Sequence, residues 1–141
     1  MSLDREVIAR LVPHAGAMCL LEEVVEWNDT EIVCRTTSHH DAANPLRGSD
    51  GVSVLMGVEY AAQAAAVHGG LSRVSAGKPR IGYLAALRDV VCSAERLDSE
   101  PGDLVVRATQ VAAEAGRLLY GFRVEGGGRE LLKGRLAVVI P

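Results

Sequence analysis

Apolar and polar side chains alternate through residues 31–38, where Ile32, Cys34 and Thr36 are set against Val33, Arg35 and Thr37. That is the period of a half-buried strand. Residues 18–27 are rich in Leu and Val, and Asn28-Asp29 between the two stretches is a turn signal, so together they predict a β-hairpin. Ahead of it, residues 4–11 suit a short helix capped by Asp4 and closed by Pro13. Residues 39–51 have a different texture: polar, with Asn44-Pro45, Gly48 and Gly51. A loop of about a dozen residues is long enough to be functional or mobile.

Residues 52–71 hold no Lys, Arg or Asp, and Ala61, Ala62, Ala64, Ala65 and Ala66 crowd their centre. Alanine at that density argues helix over strand. A helix apolar on nearly every face has to be buried all round. About twenty apolar residues also suffice to cross a bilayer, but Glu59, Gln63 and His68 inside the stretch argue against a membrane span. Four strand-like segments follow, at 81–92, 104–113, 118–125 and 130–140, with Glu114-Ala115-Gly116 and Gly126-Gly127-Gly128 as turns. Strands on both sides of one central helix predict a single α+β domain over residues 1–141, its antiparallel sheet curled around the helix. One sheet covers only part of such a helix, so a second copy is expected to cover the rest, giving a homodimer or a higher even oligomer.

Composition then narrows the function. With 48% apolar and 23% charged residues in 141, a packed single core is expected and disorder is not. The formal net charge is −3 and the fifteen basic residues are scattered, which leaves no footprint for nucleic acid. Cys19, Cys34 and Cys92 are far apart, with no CxxC pair, and read as small buried hydrophobes in a reducing compartment. Asp4, Arg5, Glu6 and Arg10 interrupt the N-terminal stretch, unlike the apolar core of a signal peptide, so a cytoplasmic protein is expected. No metal-ligand spacing and no GxxxxGK loop is present, so neither a metal nor a bound cofactor is expected.

Two segments carry a family resemblance. Leu11-Val12-Pro13-His14-Ala15-Gly16-Ala17-Met18-Cys19-Leu20-Leu21-Glu22-Glu23-Val24 resembles the N-terminal pattern of the hotdog-fold dehydratases that act on 3-hydroxyacyl chains held by acyl carrier protein. Gly57-Val58-Glu59-Tyr60-Ala61-Ala62-Gln63 is similar to that family's Glu-x-x-Ala-Gln segment on its central helix. The subgroup that looks most alike is the small dehydratase-like proteins of aryl-polyene and related biosynthetic clusters, through the Glu-Tyr-x-Ala-Gln helix and a His…Asn-Pro-Leu loop. The resemblance implies a hotdog fold and a lyase that removes water from a 3-hydroxyacyl thioester. It also implies a substrate carried on phosphopantetheine, by acyl carrier protein or coenzyme A. The chain departs from the standard dehydratase at two places. Asn44-Pro45-Leu46-Arg47 stands where that family has its catalytic histidine and a Phe-Pro-Gly stretch, and Ser53-Val54 replaces its Pro-Gly at the mouth of the helix.

Glu59 is the leading candidate on physical grounds too. A carboxylate in a helix without a nearby Lys or Arg meets a desolvation penalty that raises its pKa, as a general acid near neutral pH requires. Gln63, one turn on, is placed to bond Glu59 or the substrate. Backbone N–H groups at the start of the helix are candidate donors for charge on the thioester carbonyl. His39 and His40 are candidate bases, or solvated surface. Asn44 is a candidate donor to the substrate, and Val54 and Met56 either line an acyl pocket or pack in the core. His14 reads as structural and His68 as a dimer or helix-end residue. Arg47, Arg73, Lys78 and Arg80 are candidates for a basic rim around an acidic carrier. Three readings stay open: a dehydratase, a thioesterase that uses Glu59 alone, and a non-catalytic acyl-binding or heterodimer partner.

Overall fold

The computed structural model describes residues 3–12, 18–75 and 83–139. Asp4 caps a first helix, α1 (Arg5–Leu11), its carboxylate accepting from the backbone N–H groups of Glu6 and Val7. Two strands follow, β1 (Glu23–Trp27) and β2 (Glu31–Thr36). The Asn28 side chain turns the chain between them by accepting from the N–H groups of Thr30 and Glu31. The loop beyond β2 contains a 3₁₀ turn at Ser38–His40, and a second such turn, Val54–Met56, leads into the long helix α2 (Gly57–Ser75). Four strands complete the chain: β3 (Tyr83–Cys92), β4 (Leu104–Glu114), β5 (Arg117–Gly126) and β6 (Arg129–Val139).

All six strands join one antiparallel sheet in the order β1-β2-β4-β5-β6-β3. Alternation decides which side chains face α2. On β5, Leu118, Tyr120, Phe122 and Val124 are buried, while Arg123 between them is exposed. The inward set of β5 meets Leu104, Val106 and Ala108 of β4, Ile32 and Cys34 of β2, and Leu132, Leu136 and Val138 of β6 in one core with α2. The helix lies across β2, β4, β5 and β6. A long helix wrapped by a curved antiparallel sheet is the hotdog arrangement the resemblance implies.

The elements differ from their sequence signals in three informative ways. The first strand begins at Glu23, because residues 18–22 are held partly by a side chain of α2 instead of a full ladder. The helix begins at Gly57 and not at residue 52, because Val52 and Val54 pair with the segment before β4. Val54 N–H donates to Glu95 O at 3.0 Å, Leu97 N–H to Val52 O at 2.8 Å, and Val52 N–H to Asp98 Oδ1 at 2.9 Å. Gly51 turns the chain there at φ 94°, and the Asp98 carboxylate occupies the space a Cβ would need.

The third difference concerns what covers α2. From Val58 to Leu71 only Glu59 and Ala62 are partly open to solvent; every other position is buried within the one chain. Leu11 of α1 packs so close to Gly70 that a Cβ there would lie 3.0 Å from it. The helix therefore needs no second copy as a cover. Apolar surface is left open elsewhere, including on the edge strand β3, where Leu84, Leu87 and Val91 are 37%, 42% and 46% exposed. Cys19 and Cys34 are buried, as expected, but Cys92 at the end of β3 is exposed. No described helix is long and apolar enough to cross a membrane.

Candidate functional site

Glu59 sits in the first turn of α2 and is half-buried. Leu55, four residues before it, is 53% exposed, and Ala62, three after it, is half-buried. These three positions share one face of the helical path, with half-buried Met56 beside them. The Glu59 carboxylate takes part in no hydrogen bond or ion pair among the described residues. It stands on the open stripe of an otherwise enclosed helix.

The neighbours predicted to serve Glu59 are engaged elsewhere. Gln63 Oε1 accepts from Leu20 N–H at 2.9 Å and its Nε2 donates to Met18 O, so this amide imitates a strand and docks residues 18–20 onto α2. Asn44 is buried: its Nδ2 donates to Ser38 O at 2.8 Å and to the Tyr60 hydroxyl at 3.0 Å, while its Oδ1 accepts from Leu46 N–H. Its amide thereby fastens the loop to α2. Ser38 Oγ is hydrogen-bonded to the same Tyr60 hydroxyl at 3.0 Å and donates to Leu20 O at 2.7 Å. Tyr60 is the residue that sequence reasoning missed. Its signal was present: a hydroxyl-bearing aromatic in a helix buried on all sides has to find a polar partner.

His39 is fully buried. Its Nε2 lies 3.1 Å from Glu100 O and 2.9 Å from Gly102 O, and His40 Nε2 lies 2.6 Å from Glu100 O. Carbonyls only accept, so both rings donate from Nε2. The two rings stack with centroids 3.9 Å apart. Burial, and then the charge of His40, pushes the His39 pKa down, against the pull of the carbonyls. No contact joins either histidine to Glu59 among the described residues; His39 is enclosed, unlike the solvated pair that a polar loop suggests, while His40 is exposed. His39 Nδ1 is buried without a hydrogen-bond partner.

The backbone donors expected at the helix mouth are spoken for as well. The N–H groups of Val52 and Val54 serve the segment before β4, Leu55 N–H meets Ser53 Oγ, Met56 N–H meets Ser53 O, and Gly57 N–H meets the carbonyls of Leu55 and Val54. Val54 itself is buried in the core. Met56 lines a cleft of about 430 Å³ with Leu46, Ser53, Glu95 and Arg96, and Glu59 is not part of its lining. Arg47 is a staple for the loop: it donates to His39 O and Asp41 O and lies 3.7 Å from Asp98. The Arg96 bond holds the Asp98 carboxyl well below the usual carboxylate range. Of the other residues singled out from sequence, His14, Lys78 and Arg80 lie outside the described residues, as does the side chain of Arg73.

His68 is not a surface or interface residue in the chain. It is fully buried, its Nε2 donates to Asn28 O at 2.8 Å, and its Nδ1 accepts from the Tyr120 hydroxyl at 2.7 Å. Burial pushes its pKa down and keeps the ring neutral.

Comparison with known proteins places this geometry. The dehydratase heterocomplex ApeI:P from Xenorhabdus doucetiae is similar over 95% of this chain and 90% of the matched chain, with a TM-score of 0.84 and 24% identity. A hypothetical protein from Staphylococcus aureus, solved as a mutant, matches at a TM-score of 0.62 and 11% identity over 84% of this chain and 91% of that one. A hypothetical thioesterase solved with coenzyme A from Streptococcus pneumoniae matches at 0.59 and 13%, over 84% of each chain. These likenesses establish the hotdog fold. No curated protein matches the sequence. The sequence pattern of the ApeP-like family, described as ApeP dehydratase, covers residues 6–141, and the chain belongs to that dehydratase-like family.

Proposed function

We propose that this chain is one subunit of a composite dehydratase, supplying Glu59 as the acid while a second hotdog chain of unlike sequence supplies the base. The substrate is a 3-hydroxyacyl thioester carried on phosphopantetheine, by acyl carrier protein or coenzyme A, and the reaction needs no further cofactor. The base takes the C2 proton, the C2–C3 double bond forms, and the C3 hydroxyl leaves as water with the proton from Glu59. The product is the trans-2-enoyl thioester.

One observation carries this reading: Glu59 is unpaired on the open stripe of α2, while His39 and His68 are buried and bonded within the fold and the exposed His40 is turned to Glu100 O, without contact to Glu59. A second copy of this chain would bring the same described histidines, none of them in contact with Glu59 within its own chain. No described histidine reaches Glu59, an unlike subunit would supply the base, and the solved relative described as a dehydratase heterocomplex supports that arrangement. The exposed edge strand β3 offers the surface through which two hotdog sheets would join.

The test uses a 3-hydroxyacyl series on carrier protein and on coenzyme A, followed by mass spectrometry. The chain is assayed alone and together with a second, dehydratase-type hotdog protein. Water loss in the mixed assembly only, abolished by Glu59→Gln in this chain, is the expected result. Water loss by the chain alone would place the base within it and overturn the unlike subunit. Release of free acid would establish a thioesterase on the same fold. Turnover unaffected by Glu59→Gln would leave the chain as a non-catalytic partner.

A further inference from the structure

The outer face of the sheet, away from α2, carries a pattern that the fold does not require. Strand register places Val33, Arg107, Arg123, Lys133 and Val91 in one row across β2, β4, β5, β6 and β3. The adjacent row runs Glu31, Thr109, Gly121, Arg135 and Arg88. Three cations thus stand side by side in the first row, and Arg135 faces Arg88 in the second. Like charges directly opposite on neighbouring strands are unfavourable.

Carboxylates answer only part of this charge. Arg107 bonds Glu125 at 2.6 Å and Arg135 lies 4.0 Å from Asp89. Arg88, Arg123 and Lys133 have no carboxylate partner among the described residues, in a chain whose formal net charge is −3. Gly121 opens the middle of the surface: a Cβ there would meet nothing within 4 Å, and the hollow over it measures about 480 Å³.

A third row lies directly beside the cations. Leu119 pairs with Ala137 and Ala112, and Ala137 pairs with Ala86. With Val111, which is 64% exposed, Leu119, Ala137 and Ala86 line an apolar groove of about 230 Å³. Cationic rows and an apolar groove therefore run next to each other on one face.

We propose that this face is a docking surface for an acidic amphipathic helix of a partner protein. The spacing and the chemistry both match. Neighbouring strands lie about 4.8 Å apart, so the row Arg107–Arg123–Lys133 presents a cation at roughly that interval. Carboxylates at i, i+4 and i+7 of a helix recur about every 5–6 Å along one stripe. The apolar stripe beside them would enter the groove at Val111 and Leu119. Glu31, Glu125 and Glu130 around the cations disfavour a continuous polyanion such as nucleic acid, whose charge repeats about every 1.7 Å. The surface is separate from the Glu59 stripe, so the inference does not depend on the dehydratase reading.

The experiment titrates the whole protein against a labelled synthetic helix with Glu at i, i+4 and i+7 and Leu on the adjoining stripe. Its scrambled isomer and vesicles rich in phosphatidylserine are the competing probes. Fluorescence anisotropy should show binding to the helix that weakens at least fivefold between 50 and 300 mM salt, as exposed ion pairs do. Arg123→Glu and Lys133→Glu should each weaken it at least fivefold, Val111→Asp about as much, and Arg10→Glu, an equal charge change on α1, less than twofold. Circular dichroism of each variant separates loss of binding from loss of fold, and the variants with unchanged spectra carry the decision. Equal losses with Arg10→Glu, equal affinity for the scrambled peptide, or binding to vesicles alone would each overturn the proposal.

Discussion

At the scale of single residues, the hydroxyl of Tyr60 does more than its neighbour Glu59 to shape the loop. It is the meeting point of Ser38 and Asn44, and through Ser38 of Leu20 O, so one atom ties the loop after β2 and residues 18–22 to the helix turn bearing Glu59. Removing it leaves a buried amide donor short of a partner, a loss of about 1–2 kcal/mol. Tyr60→Phe should therefore lower the midpoint of thermal unfolding by several degrees in calorimetry, and a variant as stable as the parent would show that the loop is held by other means. His68 gives a second residue-scale prediction. Its folded pKa lies below the unfolded value of about 6.5, so the unfolded chain binds the proton more tightly. The stability that neutral His68 contributes is present in full above that value and is lost as pH falls through it toward the folded pKa. His39 acts in the same direction. Urea midpoints should be flat above about pH 7.5 and fall below about pH 6.5, and His68→Gln should remove part of that fall while leaving the part that belongs to His39. A midpoint that stays flat to pH 5 would contradict both assignments.

At the scale of elements, Gln63 shows how one side chain stands in for a ladder. Its amide gives residues 18–20 the donor and acceptor that a neighbouring strand would have given, and it does so from inside α2. Gln63→Leu keeps the volume but strands Leu20 N–H and Met18 O, which should cost about 2–3 kcal/mol in denaturant unfolding. Amide exchange at Leu20 should accelerate by at least tenfold more than at Ala108 in β4, and a uniform change would mean that the segment is not docked by this residue. The same case marks the limit of what could be read ahead. Strands β2 through β6 were legible within a residue or two, and in β5 the alternation of side chains reports burial directly. The start of β1 was not, since Leu20 and Leu21 are buried without belonging to it. Alanine density located α2, yet the switch from paired segment to helix at Val54–Met56 depends on Asp98, which is distant in sequence. For the site, Glu59 was legible as a lone carboxylate among alanines. The fate of His39 and His40 was not, because their partners are backbone carbonyls of residues 100 and 102, and a carbonyl leaves no mark in the sequence.

At the scale of the whole molecule, the unfinished surface is β3. It pairs with β6 on one side and leaves its other edge free, and its described side chains are exposed or half-buried. A ten-residue edge strand bearing Leu84, Leu87 and Val91 invites edge-to-edge pairing, which natural sheets otherwise block with charge, bulges or a covering loop. One such device is present. Asp89 adopts φ 54° where the register with β6 slips between Arg88 and Val91, so the strand is bent near its middle. A bend of this kind restricts pairing to a partner whose edge follows the same curve, which suits a specific hotdog neighbour better than open-ended stacking. Leu87→Lys combined with Val91→Lys should therefore leave a folded chain that no longer assembles. The mixed assembly with a hotdog partner should then fail to form at micromolar concentrations, and sedimentation of the mixture should report the separate chains. The helix supplies the contrast. Because α2 is already enclosed, Ala62→Lys on its half-open stripe should weaken assembly less than the β3 double variant does, although it lies one turn from Glu59. If the order of those two effects were reversed, the helix stripe and not the strand edge would be the principal contact between chains.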